Sequence, residues 1–305
     1  MSSTPVTRSS GAWALILASL LWGTTGTAAS FMPDSVSPLA IGACTMAVGG
    51  ILLFLVSARS SLAVIRDAAS RRWLLIGALG VVVYPLAFYS SMDLAGVAIG
   101  NVVSLGTGPV FAALLEWVIE RRPLSRLWVV CTAGAILGVA LLTFGGHHES
   151  SVSGDSVALG VGLGLVAGFA YALYTYASSR AIRLDNAPRG VMGGMFGLGA
   201  LVLVPVLLVT GGPLLQSQLT LGISAYLALG PMFLAYVLFG IGMRTLRSTT
   251  ATTITLLEPF VATLLAVIVV GERLDPLGWA GLALILACVT VVATARQPRS
   301  SSEGP

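Results

Sequence analysis

Apolar runs of about twenty residues, closed by short polar connections, recur along the whole 305-residue chain. Crossing about 30 Å of hydrocarbon takes about 20 mainly apolar residues in a helix. Ten runs meet that rule, at roughly 12–31, 38–57, 73–92, 97–117, 126–145, 157–178, 190–211, 221–242, 249–270 and 276–295. The connections hold most of the charges, prolines and serines, and none is long enough for a separate soluble domain. The tails, 1–10 and 296–305, are rich in Ser, Pro and Arg and are expected to be disordered. The pattern predicts an all-α integral membrane protein of ten transmembrane helices.

Composition agrees: 56% of residues are hydrophobic, 9% are charged and mean hydropathy is +0.94, where soluble domains carry about 25% charged residues. So little charge cannot cover a water-facing surface, so the lipid bilayer is the expected solvent. The 36 glycines suit close backbone contact between membrane helices. All sixteen basic residues are arginine, and their positions fix an orientation. With both termini in the cytoplasm, fifteen of the sixteen fall on the cytoplasmic side and only Arg273 lies outside. The net charge of +4 is therefore a topology signal, and no nucleic-acid partner is expected. Arg8, the first apolar run and the small residues 27–30 also resemble a cleavable signal peptide, but the run is long for that role. Cys44, Cys131 and Cys288 lack metal-ligand spacing and read as small buried hydrophobes.

An internal repeat organises the segments. GNVVSLGTGPVFAALLEWVIERRPLSRLW (100–128) matches TATTITLLEPFVATLLAVIVVGERLDPLGW (250–279), with Pro109 against Pro259 and Trp128 against Trp279. Upstream, ASLLWGT (18–24) aligns with AGFAYAL (167–173), which sets Trp22 opposite Tyr171. The simplest division is a tail at 1–10, a first five-helix repeat at 11–148, a second at 149–295 and a tail at 296–305. An odd number of helices per half makes the second half enter from the opposite side, so the repeats are inverted. Inverted repeats around a central cavity are a transporter architecture, with the substrate site near the membrane midplane.

These features resemble the EamA family of the drug/metabolite transporter superfamily over about residues 12–295. The matching motifs are Trp22-Gly23-Thr24, the Pro109 region, Leu257-Glu258-Pro259 and Gly271-Glu272-Arg273-Leu274. One departure stands out: the first half has Gly108-Pro109 where the second has Glu258-Pro259.

Two acids lie inside the apolar runs, Glu116 and Glu258. A charge at the bilayer centre costs about 2.5–3.5 kcal/mol on insertion scales. Glu116 is one turn from a segment end, close to Arg121 and Arg122, and reads as a structural group that snorkels or pairs. Glu258 lies near the middle of the ninth segment and must face a polar cavity, find a partner or be protonated. Thr252, Thr255 and Glu258 make one polar stripe at i, i+3 and i+6, and Asn101, Ser104 and Thr107 repeat that spacing in the fourth segment. Hydroxyls in membrane helices also bond backbone carbonyls or neighbouring helices, so both readings stay open for them. Proline removes the bond to the carbonyl four residues back, so Pro259 is expected to free the Thr255 carbonyl. Pro109 and Pro259 are the expected hinges. Trp22, Tyr84, Tyr89, Tyr171, Tyr174 and Tyr236 lie inside segments, where each suits either an organic substrate or packing.

His147 and His148 adjoin in a polar loop without metal-site geometry, and no P-loop, HExxH or Ser/His/Asp arrangement occurs. No enzyme activity, metal or cofactor is expected. The reading is a secondary transporter in a bacterial inner membrane, working by alternating access on small organic metabolites. The resemblance makes export the expected direction, with amino acids among the candidate substrates, a proton as candidate coupling ion and a monomer as an allowed state. The alternatives are a cationic drug exporter or a non-transporting membrane scaffold or sensor. The expected cavity lies between segments 1, 3, 4, 6, 8 and 9, with the two polar stripes and the six aromatics lining it.

Overall fold

The fold is that of a computed structural model, described for residues 8–95, 97–121, 125–144, 154–270 and 276–294. The His147–His148 loop, the Gly271–Leu274 motif, Arg273 and most of both tails lie outside the described residues. Among the described residues the chain is helical without strands. The helices are α1 (Arg8–Gly23), α2 (Thr25–Ala29), α3 (Pro38–Val56), α4 (Ala58–Arg66), α5 (Ala68–Ala95), α6 (Val97–Glu120) and α7 (Arg126–Phe144). After these come α8 (Gly154–Ile182), α9 (Pro188–Thr210), α10 (Gln218–Leu227), α11 (Ala235–Thr245), α12 (Ser248–Ile254), α13 (Leu257–Leu265) and α14 (Pro276–Thr294). Eight stretches of the described residues are long and apolar enough to cross a membrane. The fifth and tenth expected segments are the 19-residue helices α7 and α14, whose described apolar stretches are shorter, Arg126–Gly138 and Pro276–Cys288.

Helix starts follow the local sequence. The Ser37 hydroxyl accepts the Ala40 N–H at 3.2 Å, with Pro38 in the first turn of α3, where a missing N–H costs nothing. Asp67 does the same for α5, accepting the Ser70 N–H at 2.9 Å. Bonds from the Ser70 hydroxyl and N–H hold its carboxyl below the usual carboxylate range. The amphipathic α4 was not expected: ARSSLAVIR reads as a loop, yet it packs on α9 with Ser61 and Val64 buried.

The dominant packing pairs are α5 on α8, α3 on α9, α7 on α14, α6 on α8 and α1 on α11 and α13. Close approach depends on glycine: a Cβ on Gly80 would sit 2.6 Å from the Ala170 carbonyl oxygen, so α5 and α8 could not touch backbone to backbone with any side chain there. One end of the bundle collects the arginines. Arg180 and Arg183 bind Glu120 at 3.2 and 3.4 Å, Arg72 and Arg180 each lie 5.3 Å from the Trp73 ring centroid, and Asn186 donates to Ser70 at 2.7 Å. These contacts put the end of α6, the end of α8 and the start of α5 together at that face.

Candidate functional site

The ninth apolar segment is two helices rather than one. α12 stops at Ile254, Thr255 and Leu256 make a turn, and α13 starts at Leu257. Across the turn the bonds tighten to three-residue spacing: Leu256 N–H donates to Thr253 O at 3.2 Å and Glu258 N–H to Thr255 O at 2.9 Å. The Thr255 carbonyl is therefore not freed by Pro259, as the sequence suggested, because the Glu258 amide takes it. Pro259 is the third residue of α13, where a helix has no internal partner for an N–H, so proline removes no bond. Glu258 stands in that first turn, at the end of the helix that favours negative charge. The Glu-Pro pair thus marks a helix restarting inside the membrane-spanning run.

Two neighbouring segments are also irregular. Thr24 separates α1 from α2, and Ala228–Leu234 between α10 and α11 is wound as a π-helix around Pro231. The Trp22 indole donates to the Pro231 carbonyl at 2.7 Å, joining these two irregular stretches. Gly23 lets α1 reach the restart itself, since a Cβ there would lie 3.1 Å from the Glu258 carbonyl oxygen and 2.6 Å from Val261.

Around the restart lies a narrow cavity of about 490 Å³. Glu258 reaches it beside Trp22, Tyr84, Tyr89, Tyr171, Tyr174 and Tyr236, so the intramembrane acid and all six aromatics singled out in the sequence meet in one place. Glu258 is 8% exposed. The rings pack edge-on or tilted: Trp22 to Tyr236 at 5.0 Å and Tyr84 to Tyr174 at 5.9 Å between centroids. Tyr174 and Tyr236 share a hydroxyl bond of 2.7 Å. Thr255 lies one layer behind: its hydroxyl donates to the Thr252 carbonyl at 2.9 Å and so accepts the Tyr171 phenol at 2.6 Å. Thr252 in turn donates to the Ser248 carbonyl at 3.0 Å.

Among the described lining residues none comes from the fourth segment, so Asn101, Ser104 and Thr107 are not among the side chains placed at the cavity. Two of the three meet α8: Thr107, which donates to its own Val103 carbonyl at 2.6 Å, and the fully buried Ser104 both lie opposite Gly168. α3 takes its place with Thr45 and Met46, which sequence reasoning missed together with Thr25, Phe88 and Met232. Thr45 is the one hydroxyl in the middle of its apolar run, the only signal available for that helix. Pro85 and Pro231 also face the space. Glu116 pairs with Arg247 and Ser248, from the second matched stretch.

The EamA-like transporter family model matches residues 9–144 and again 158–294. The chain belongs to that family. The uncharacterized transporter YwfM of Bacillus subtilis (strain 168) is 31% identical over 294 residues, covering 95% of both chains. The threonine/homoserine exporter RhtA of Escherichia coli (strain K12) is 31% identical over 201 residues, 66% of this chain and 63% of its own. One solved structure superposes with a TM-score of 0.77 at 20% identity, over 94% of this chain and 97% of that one, which establishes the common fold.

In this EamA-like transporter the two matched stretches contribute unequally to the cavity. Gly108 stands where the second stretch has Glu258, and a Cβ on it would lie 2.8 Å from the Tyr171 ring. The ring fills the place a first-half acid would need, and among the described lining residues the carboxylate comes from the second stretch.

Proposed function

We propose that the chain is a secondary transporter that moves small amine-bearing metabolites across the bacterial inner membrane by alternating access, in the direction of export. Ten helices form two inverted repeats, 11–148 and 149–295, with both termini cytoplasmic. The observation that carries the reading is the buried Glu258 carboxylate at a restarted helix, facing an aromatic cavity built by both halves. The packing pairs support the inversion. Exchanging each apolar segment for the one five places on turns the contact of segments 3 and 6 into that of 8 and 1, and the contact of 4 and 6 into that of 9 and 1, while 2 with 7 and 5 with 10 map onto themselves. Discontinuous helices beside the site are the usual transporter device for placing polar groups at the midplane.

Glu258 binds the substrate amine or exchanges it for a proton. Trp22, Tyr84, Tyr89, Tyr171, Tyr174 and Tyr236 hold the body of the substrate, Thr255 and Thr252 brace the wall behind, and Pro109 and Pro259 mark where their segments bend. Ser104 and Thr107 serve the α6–α8 contact, and Asn101 lies on the same face of α6 one turn earlier. The name of RhtA makes threonine and homoserine the first substrates to try. A second reading, a lipophilic organic cation, is favoured by the wall chemistry: among the described lining residues there is one carboxylate and no basic side chain to meet a substrate carboxylate. Efflux from proteoliposomes loaded in turn with labelled threonine, homoserine and simple aromatic monoamines separates the two. Saturable loss of the amino acids supports the first reading, loss of the monoamines alone supports the second, and leak indistinguishable from empty liposomes for every compound counts against both.

A further inference from the structure

The aromatic cavity stops short of the arginine-rich face. Beyond Tyr236 along α11 comes Phe239, and Met192 and Met195 of α9 pack at the same end, each at most 1% exposed. Past them a second recess of about 1050 Å³ opens at that face, lined by Arg183, Asn186, Met243, Leu246 and Arg247 among others. Arg247 in the wall of that recess belongs to one tightly bonded cluster. The Glu116 side chain of α6 is 2% exposed and takes both the Arg247 guanidinium and the Ser248 hydroxyl. Arg247 is the residue before α12 and Ser248 its first residue, so the clasp ties the first matched stretch to the start of α12 in the second.

Just past the far end of α12, the Thr255 hydroxyl bonds Tyr171 of the cavity wall. This helix is seven residues long, with extended backbone at Leu246 before it and the Thr255–Leu256 turn after it, so it can swing as a unit about a joint at each end. Along it the side chains form an unbroken ladder: Tyr171 to Thr255, Thr255 to the Thr252 carbonyl, Thr252 to the Ser248 carbonyl and Ser248 to Glu116. A wall residue of the substrate cavity is thereby connected through α12 to the Glu116–Arg247 pair, whose arginine lines the second recess. Glu116 is the enclosed member of the pair, so parting it from Arg247 leaves its charge without a partner until water reaches it.

We propose that Glu116, with Arg247 and Ser248, is the gate of the arginine-side entrance, and that α12 is the bar through which the cavity controls it. Opening moves α12 away from α6, carries Arg247 into the recess and lets water reach Glu116. The inference rests on the carrier reading, and its test needs no substrate. With Cys44, Cys131 and Cys288 replaced by alanine, a Thr45→Cys probe in the cavity wall is labelled with a membrane-impermeant maleimide from each face, in intact cells and in inverted vesicles. Glu116→Gln raises labelling from the arginine-rich face about tenfold, within the range of typical coupling between two states, and slows it from the other face. The charge swap Glu116→Arg with Arg247→Glu brings both rates back toward the parent. Ser248→Ala, a milder loss should Glu116→Gln fold poorly, shifts the rates the same way by less. Folded Glu116→Gln or Ser248→Ala protein labelled at the parent rate from both faces overturns the gate. Thr45→Cys closed to one face in every variant, the charge-neutralised ones included, counts against alternating access itself.

Discussion

At Glu258 the chain places an acid where the bilayer exacts about 2.5–3.5 kcal/mol for a charge at midplane, and the surroundings show how that is offset. The residue begins a helix, shares its space with phenols and an indole, and is 8% exposed to a cavity. This much was legible in the sequence, because a carboxylate and six amphipathic rings inside apolar runs must all find partners or space. Thr45, Met46 and Met232 were not legible, since a lone threonine or a methionine is as much at home in packing. The Gly108 position carries a prediction of its own. Alanine there pushes against the Tyr171 ring at 2.8 Å, so Gly108→Ala should lower stability by about 1–3 kcal/mol, the usual cost of overpacking. Thermal denaturation in detergent checks it, and an unchanged midpoint would mean that the ring yields freely.

The break in the ninth segment is a property of elements, and periodicity could not reveal it: TITLLEPFVATLL stays apolar straight through the turn. Glu-Pro was the available signal, read as a kink within one helix when it is the first turn of a second. The two cases differ in sign. An interior proline costs a helix about 3 kcal/mol, so replacing it with alanine would stabilise the protein. A first-turn proline contributes through the stiffness of the unfolded chain, so Pro259→Ala should instead destabilise by about 0.4–1 kcal/mol. Denaturation midpoints of the two proteins decide between them. The fourth segment misled in another way, since spacing of i, i+3, i+6 puts residues on one face of a helix without saying which neighbour that face meets. α6 offers its stripe to α8, and small residues such as Gly168 make that contact close. The same blindness hid α4, whose nine residues alternate too briefly to separate from a loop.

For the whole molecule, the class was plain from hydropathy, and the repeat was plain from two prolines and two tryptophans at offsets of 150 and 151. Distant pairings were not, and the cluster of Glu116 with Arg247 and Ser248 joins residues more than a hundred positions apart. Such pairings decide how a carrier closes, because they join halves that must later part. The account stands or falls on whether the cavity made by both halves handles substrate through its one carboxylate. The direct measurement is initial uptake of the best substrate from the panel into proteoliposomes, wild type against Glu258→Gln, at matched reconstitution and with a folded mutant. The account predicts that Glu258→Gln loses at least about tenfold in rate over substrate concentration, the mark of an interaction used in the transport step rather than in folding. Unchanged rate and saturation in Glu258→Gln would contradict it and remove the midplane carboxylate from the mechanism.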